Sequence, residues 1–228
     1  MKVPTIGFVL SACAFGQAAH QHHPPTSATE YAKVLEDPGR DAWQKPHDVI
    51  EALQLRTGEV VADIGAGSGY FARRFVRHAG KVYAVDIDSR LLEIAAKNAP
   101  ANLVTVAATP DDPKLPSGAI DTVFFCDVLH HIGVEGHGPD AKQTPESSKA
   151  RMAYYAKLDK ALKPDGRIVI VDFFPQELPV GPSPAMKLSE RQIVDEMQQA
   201  GFRVAKRHEG LLPYQWFVEF KRISGGNP

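Results

Sequence analysis

Short apolar runs alternate with longer amphipathic segments through most of the chain. Runs rich in apolar and β-branched residues predict five β-strands, at residues 60–64, 82–85, 103–107, 122–126 and 167–172. Between them, apolar residues that recur every three or four positions predict helices at residues 70–78, 89–98 and 147–162. Strands that alternate with helices in this way favour an α/β fold with a parallel sheet that is covered on both faces.

Turn and capping signals mark where several of these elements end. Residues 163–166, Lys-Pro-Asp-Gly, predict a turn between the long helix and the strand that follows it. Ser189 and Gln192 predict a capping box that opens a last helix, which ends at Gly201. Two further β-rich segments then complete the predicted sheet, at residues 202–208 and 214–221.

The whole chain divides into four predicted segments. Residues 1–29 are interpreted as a signal-like segment with a His- and Pro-rich tether. Residues 30–57 are interpreted as an N-terminal helical segment. Residues 58–223 form the α/β domain, and residues 224–228 are expected to be a disordered tail. The tract from His20 to His23 is interpreted as linker, so no metal site is predicted.

The N-terminus indicates export, by one of two routes. One Lys precedes an apolar run that is too short to span a bilayer, and small residues follow it. Cleavage after Ala18 would release a periplasmic protein. Alternatively, the run Leu10-Ser11-Ala12-Cys13 resembles the lipobox of bacterial lipoproteins, which would make Cys13 a lipid anchor and the one point of membrane contact. If the segment is not a working signal, the protein is cytoplasmic.

Charge and cysteine content exclude several classes of protein. The 228 residues include 26 Lys and Arg against 27 Asp and Glu, a net charge of −1, which argues against a protein that grips nucleic acid through phosphates. Cys13 and Cys126 are the only cysteines, too few for a disulfide framework or a zinc site of several thiolates. The composition remains compatible with a globular enzyme.

A glycine-rich turn carries the most specific signal. The strand at 60–64 runs directly into Gly65, Gly67 and Gly69, and Asp63 stands two residues before the first glycine. Such glycines let the backbone turn tightly and approach a ligand, and the helix that follows offers free N–H groups. A dinucleotide fingerprint would need its third glycine where Tyr70 stands, which disfavours the alternative of an NAD-dependent oxidoreductase.

This stretch resembles motif I of the class I S-adenosylmethionine-dependent methyltransferases, and the resemblance covers roughly residues 57–222. It implies a Rossmann-like, doubly wound sheet of seven strands with the last one antiparallel, and S-adenosylmethionine as cofactor. Asp63, Gly65, Gly67 and Gly69 would then form the cofactor turn. Asp86, at the end of the second strand, would hold both ribose hydroxyls, since a carboxylate accepts two hydrogen bonds at once; the alternative is that it caps the next helix.

The resemblance also assigns roles beyond the second strand. Thr109 stands where many relatives have Asp, so Asp111 is the candidate for the adenine contact, and a surface turn is the alternative. After the fourth strand, His130 and His131 resemble the His pair of the methyltransferase type 11 group, which includes quinone-biosynthesis enzymes. They are the catalytic candidates if the acceptor must lose a proton, and a buried structural pair is the alternative.

The predicted activity is therefore methyl transfer from S-adenosylmethionine to a small-molecule acceptor that the sequence does not identify. Loops 133–145 and 175–184 are expected to frame the acceptor, and Trp43 and Tyr214 either line its pocket or pack an N-terminal helix on the sheet. No Asn-Pro-Pro-Tyr sequence follows the fourth strand, which again argues against a nucleic-acid substrate. A non-catalytic protein that binds S-adenosylmethionine in the same fold is the main alternative.

Overall fold

The protein forms one seven-stranded sheet with helices on both faces, as seen in a computed structural model that describes residues 27–134 and 140–223. The predicted signal segment, most of the tether and the C-terminal tail lie outside the described residues. The strands are β1 Val60–Ile64, β2 Lys81–Asp86, β3 Leu103–Ala107, β4 Ile120–Cys126, β5 Leu162–Phe173, β6 Phe202–Arg207 and β7 Gln215–Arg222.

The strand order is β3-β2-β1-β4-β5-β7-β6. Strands β1 to β5 pair in parallel, whereas β7 runs antiparallel to both β5 and β6. The predicted doubly wound sheet with an antiparallel last strand is thus confirmed. The chain reverses its direction of winding between β1 and β4, and the crevice at the carboxyl ends of the strands there is the usual ligand site of such sheets.

In the part of the chain that the structure describes, seven α-helices surround the sheet: α1 Ala28–Leu35, α2 Asp41–Gln44, α3 Pro46–Leu53, α4 Ala72–Phe75, α5 Ser89–Ala96, α6 Pro145–Ala161 and α7 Glu190–Gln199. Short 3₁₀ turns lie at Pro38–Arg40, Leu129–His131 and Pro184–Met186. Within residues 27–134 and 140–223, no helix has the length and apolar character needed to cross a bilayer.

Each face of the sheet carries its own hydrophobic core. On one face, α3 and α4 pack against the sheet, and the rings of Phe71, Phe75 and Phe124 contact one another with centroids 4.9–5.9 Å apart. On the other face, Tyr155 and Leu158 of α6 are fully buried against β4 and β5. Burial on both faces explains why the central strands are mostly apolar rather than strictly alternating.

Two predicted elements differ from the structure. The residues 163–166 do not form a turn outside the sheet but a bulge within β5, because Leu162 still pairs with Ile120 and Arg167 pairs with Thr122. The predicted helix at 70–78 is α-helical only over Ala72–Phe75. Several of its flanking N–H groups bond three residues back instead of four, as Arg77 does to Arg74, which winds the ends more tightly.

Candidate functional site

A cavity of about 360 Å³ lies at the carboxyl ends of the central strands. The loops after β1, β2, β3 and β4 line it, together with the end of β5 and the N-terminal segment that contains α1. Its volume falls within the ~300–1,000 Å³ range of small-molecule sites. Asp63, Gly65, Gly67, Asp86, His130 and His131 all line this cavity, so the structure brings together six of the eight predicted site residues.

The glycine turn passes so close to its neighbours that side chains would not fit. Gly65 has φ +71°, and a Cβ on it would lie 2.1 Å from Cγ2 of Val128. Gly67 has φ +55°, and its Cβ would lie 2.8 Å from Cδ1 of Leu35 in α1. Gly69 does not line the cavity; its Cβ would lie 3.1 Å from Ala95, so it lets α4 pack against α5.

Asp86 joins the glycine turn to the loop after β2. Its Oδ2 accepts a hydrogen bond of 2.7 Å from the Gly67 N–H, and its Oδ1 accepts one of 2.9 Å from the Asp88 N–H. Burial raises the pKa of Asp86, against the effect of these two hydrogen bonds. Asp88, not Asp86, caps α5 by accepting from the Arg90 N–H at 2.9 Å, so the capping alternative for Asp86 is excluded.

Asp63 presents an unsatisfied carboxylate to the cavity. Its exposed fraction is 3%, and its Oδ2 accepts no hydrogen bond from the part of the chain that the structure describes. Burial raises the pKa of Asp63 to about 8, although a hydrogen bond from the Ala72 backbone opposes the shift. Because a buried carboxylate oxygen without a partner is costly, the Oδ2 side of Asp63 fits a ligand that brings a cation or a strong donor.

The two histidines lie beside each other in the turn after β4. In the sheet, β4 is separated from β3 by β1 and β2. His130 is buried, and its Nδ1 donates a hydrogen bond of 2.8 Å to Oδ1 of Asp172 at the end of β5. Burial lowers the pKa of His130, but the Asp172 carboxylate outweighs it, so the net shift is upward. The His131 ring lies 4.2 Å from the His130 ring, centroid to centroid.

Asp111 lies away from the cavity. Its side chain is 82% exposed, accepts a hydrogen bond of 2.8 Å from Thr109 Oγ1, and faces Lys157 Nζ at 3.3 Å. These contacts are those of the surface turn that the sequence left as an alternative. Thr109 and Pro110 line the cavity at this edge instead.

The sequence missed the contribution of the N-terminal segment. Tyr31, Leu35 and Arg40 line the cavity, and the Arg40 guanidinium lies 4.2 Å from the centroid of the Tyr70 ring. Its Nη2 donates a hydrogen bond of 3.2 Å to Oδ2 of Asp127, which follows β4. Nothing in the local pattern around Arg40 marks a ligand site, because only the folded chain brings this segment over the glycine turn.

Asp127 is a half-buried acid at the cavity that the sequence did not single out. Burial raises its pKa to about 6, although Arg40 opposes the shift. Gln215 donates to its Oδ1, and Gln44 donates in turn to Gln215 Oε1 at 2.7 Å. Gln44 also lies 3.1 Å from the sulfur of Cys126, which is buried. This network ties α2 to the ends of β4 and β7.

The predicted aromatic pair lies behind the cavity rather than in its wall. Trp43 packs against Phe173 and Tyr214, with ring centroids 5.9 Å and 6.3 Å away, and of the three only Phe173 lines the cavity. Trp43 and Tyr214 therefore pack the N-terminal segment on the sheet. Among the residues that the structure describes, no group of three or more acidic, His or Cys side chains could hold a metal ion.

Comparison with known sequences identifies residues 62–170 as a match to the family model of a methyltransferase domain, type 11. Demethylmenaquinone methyltransferase of Tropheryma whipplei is 28% identical over 133 residues, which are 58% of this chain and 48% of that protein. The chain thus spans about half the length of this curated relative.

Comparison with solved structures finds the same fold in methyltransferases. A SAM-dependent methyltransferase from Aquifex aeolicus superposes with a TM-score of 0.72 over 86% of this chain and 99% of its own, at 22% identity. Magnesium protoporphyrin IX methyltransferase from Synechocystis, solved with bound SAH, superposes with a TM-score of 0.58 over 79% and 82% of the two chains, at 20% identity. The seven-stranded architecture is therefore that of this enzyme class.

Proposed function

We propose that the chain is an S-adenosylmethionine-dependent methyltransferase of type 11, the family whose model matches residues 62–170, and that it transfers a methyl group from S-adenosylmethionine to a small-molecule acceptor. One observation carries this proposal: the buried Asp63 and the half-buried Asp86 flank a glycine turn at the wall of the cavity. The cofactor offers a cationic methionine end and a ribose diol, and these are the groups that two such acids would bind.

Each part of the cofactor has a counterpart along the strand ends. Asp63 receives the ammonium group on its unpartnered oxygen, and Arg40 receives the carboxylate of the methionine moiety. Asp86 retains a lone pair on each oxygen for a ribose hydroxyl. Thr109 and Pro110, after β3, lie beside the adenine, because the ribose strand β2 is the neighbour of β3 in the sheet.

The chain itself supplies positioning and shielding more than covalent chemistry. Transfer from a sulfonium has a neutral leaving group, so alignment of acceptor and methyl carbon and exclusion of water provide most of the rate. The N-terminal segment covers the glycine turn, and the Ser68 hydroxyl holds it by donating to Glu36 at 2.7 Å. Phe173, His130 and His131 form the wall that remains for the acceptor, over β4 and β5.

A small molecule is the acceptor that this site supports. The relative from Tropheryma whipplei is named for the small molecule demethylmenaquinone, and the Synechocystis neighbour for a porphyrin. The net charge of −1 argues against a protein that binds nucleic acid mainly through phosphates. Which small molecule this chain methylates is set by the loops after β4 and β5, part of which lies outside the described residues.

Calorimetric titration with S-adenosylhomocysteine, the demethylated product, tests the proposal. The full chain should bind it with saturation, and Asp86→Ala should weaken binding at least ~10-fold through loss of two charged hydrogen bonds. Asp165→Ala, which removes an exposed carboxylate from the β5 bulge, is the matched control and should bind normally. Absence of binding by folded protein would refute the proposal, and binding without methyl transfer to any acceptor would indicate a non-catalytic binding protein.

The location of the protein is a separate proposal, supported by the sequence of residues 1–23 alone. We propose that the chain is exported, either cleaved after Ala18 or anchored through a lipid on Cys13. Mass spectrometry of the mature N-terminus distinguishes the two products by mass. An N-terminus that retains Met1 would refute export.

A further inference from the structure

Tyr154 lines the cavity, and its hydroxyl has no hydrogen-bond partner among the described residues. It lies in α6 and is only 4% exposed, yet its oxygen is not fully enclosed by the protein. The next residue, Tyr155, is buried as well, but its hydroxyl donates to Oε2 of Glu196 at 3.4 Å. Because a buried phenol hydroxyl usually finds a partner, the hydroxyl of Tyr154 is available to a ligand in the cavity.

Helix α6 places Tyr154 beside the loop that follows β3. About one turn further along the helix, Nζ of Lys157 donates to the Asp111 carbonyl at 2.6 Å. Residues three apart lie on the same face of a helix, so Tyr154 and Lys157 both face this loop. Because α6 connects the parallel strands β4 and β5, it runs away from their carboxyl ends. Tyr154 is therefore the nearer of the two to the cavity.

The charges around Tyr154 place it at the same edge of the sheet. Burial raises the pKa of its hydroxyl, and Asp112, Asp86 and Asp111 raise this pKa further. Asp86 is the ribose ligand proposed above, and the other two acids belong to the loop after β3. The hydroxyl therefore stays protonated at neutral pH and offers a hydrogen to an acceptor atom near the ends of β2 and β3.

The loop after β3 has already used its own donors where it lines the cavity with Ala108, Thr109 and Pro110. The Ala108 N–H donates to the last carbonyl of β2 at 2.9 Å, and the Thr109 N–H donates to the Asp112 carbonyl at 3.0 Å. The Thr109 hydroxyl donates to Oδ1 of Asp111 at 2.8 Å. Pro110 has no N–H. An acceptor atom on the adenine therefore has to find its donor on another element.

We propose that the Tyr154 hydroxyl donates a hydrogen bond to N1 of the adenine ring, and that Tyr154 is thereby a specificity residue for the cofactor. This inference rests on the proposed function, which sets the ribose at Asp86 and the adenine beside Thr109 and Pro110. A base that extends from β2 toward β3 presents to α6 the edge remote from the ribose, and N1 is the ring acceptor on that edge. A site built around this bond selects against a base that lacks the acceptor.

Calorimetric titration of the full chain compares S-adenosylhomocysteine with its 1-deaza analogue, in which a C–H replaces N1. The wild type should bind the analogue about 3- to 10-fold more weakly, the equivalent of one neutral hydrogen bond. Tyr154→Phe removes only the hydroxyl. This variant should lose about the same factor for S-adenosylhomocysteine and should bind the two ligands within about twofold of each other, because the bond is absent in both complexes.

Two controls separate this bond from other effects. Tyr155→Phe removes a buried hydroxyl that does not line the cavity, so it should keep the wild-type preference between the two ligands. The 7-deaza analogue of S-adenosylhomocysteine retains N1. Tyr154→Phe should therefore bind this analogue about 3- to 10-fold more weakly than the wild type does.

Several results would overturn the proposal. Equal binding of S-adenosylhomocysteine and its 1-deaza analogue by the wild type would do so, whether or not the variants fold. A Tyr154→Phe protein that keeps the wild-type preference would show that N1 has another donor. Loss of affinity in Asp111→Asn but not in Tyr154→Phe would assign the contact to the loop. Absence of S-adenosylhomocysteine binding by the wild type would instead refute the proposed function, and this inference with it.

Discussion

Replacing Asp63 by Asn should make the protein more stable and weaken its binding of the cofactor. The carboxyl group is 3% exposed, lacks a partner on Oδ2 within the described chain, and has its pKa raised from 3.8 to about 8 by burial. Asn has nearly the same shape and carries no charge. The substitution therefore removes a desolvation cost from the folded state and a charged ligand contact from the site.

The magnitude follows from the two pKa values. Because the folded pKa lies above the unfolded one, stability from this group is complete below pH 3.8 and is lost as the pH rises toward 8. At 1.36 kcal/mol per pH unit, the loss is about 2 kcal/mol at pH 5 and about 4 kcal/mol at pH 7. Asp63→Asn should therefore exceed the wild type in free energy of unfolding by a margin that grows by about 2–3 kcal/mol between pH 5 and pH 7.

Urea unfolding at pH 5 and pH 7 measures this margin, with the exposed Asp165→Asn as control. A margin for Asp63→Asn that does not change with pH would refute the reasoning, since it would mean that Asp63 is ionised in the folded protein. Calorimetry of the same variant with S-adenosylhomocysteine should show a ~10- to 100-fold loss of affinity, the equivalent of one charged hydrogen bond.

Three further substitutions test other parts of the account. Gly65→Ala should lower the free energy of unfolding in urea by about 2–5 kcal/mol, because φ is positive and the new Cβ would overlap with Val128. Adding Val128→Ala should recover part of that free energy. A double variant no more stable than Gly65→Ala would contradict the overlap. Glu196→Gln should cost about 3–5 kcal/mol, because the fully buried Arg151 guanidinium, which Glu196 meets at 2.7 Å, loses its anion; a loss below about 1 kcal/mol would contradict this. Arg40→Met keeps the stem but not the charge and should weaken S-adenosylhomocysteine binding ~10-fold or more in calorimetry; unchanged affinity would exclude Arg40 from the site.

The strands were predictable because they are short runs dominated by apolar and β-branched residues, and β1 and β3 begin and end where the sequence places them. The start of β5 was not predictable. Residues 163–166, Lys-Pro-Asp-Gly, favour a turn locally, but the pairing of Leu162 with Ile120 keeps this segment in the sheet. Strand pairing across the chain overrides local turn preference there, and no local pattern reveals it.

The candidate site also combines residues that the sequence predicted with residues that it did not. Asp63, Gly65, Gly67 and Asp86 were predictable from spacing, because a glycine turn and the acids at strand ends are fixed by local sequence. Arg40 was not, because its place over the cavity depends on how the N-terminal segment docks. Asp111 was chosen by its position after β3, but Thr109 and Lys157 hold it at the surface.

The partner of His130 also lay beyond the sequence. Asp172 is 42 residues further along the chain, and only the parallel pairing of β4 with β5 brings the two together. A histidine at a helix start gives no sign of whether a carboxylate faces it. The sequence therefore left open a choice between a structural and a catalytic role for His130.

A crystal structure of the full chain with S-adenosylhomocysteine tests the central claim most directly. The account predicts the ribose hydroxyls within hydrogen-bond distance of the Asp86 carboxylate, the ammonium group at Oδ2 of Asp63, and the sulfur facing His130 and Phe173. A ligand bound with its adenine over β4 and β5, or outside the cavity, would contradict it.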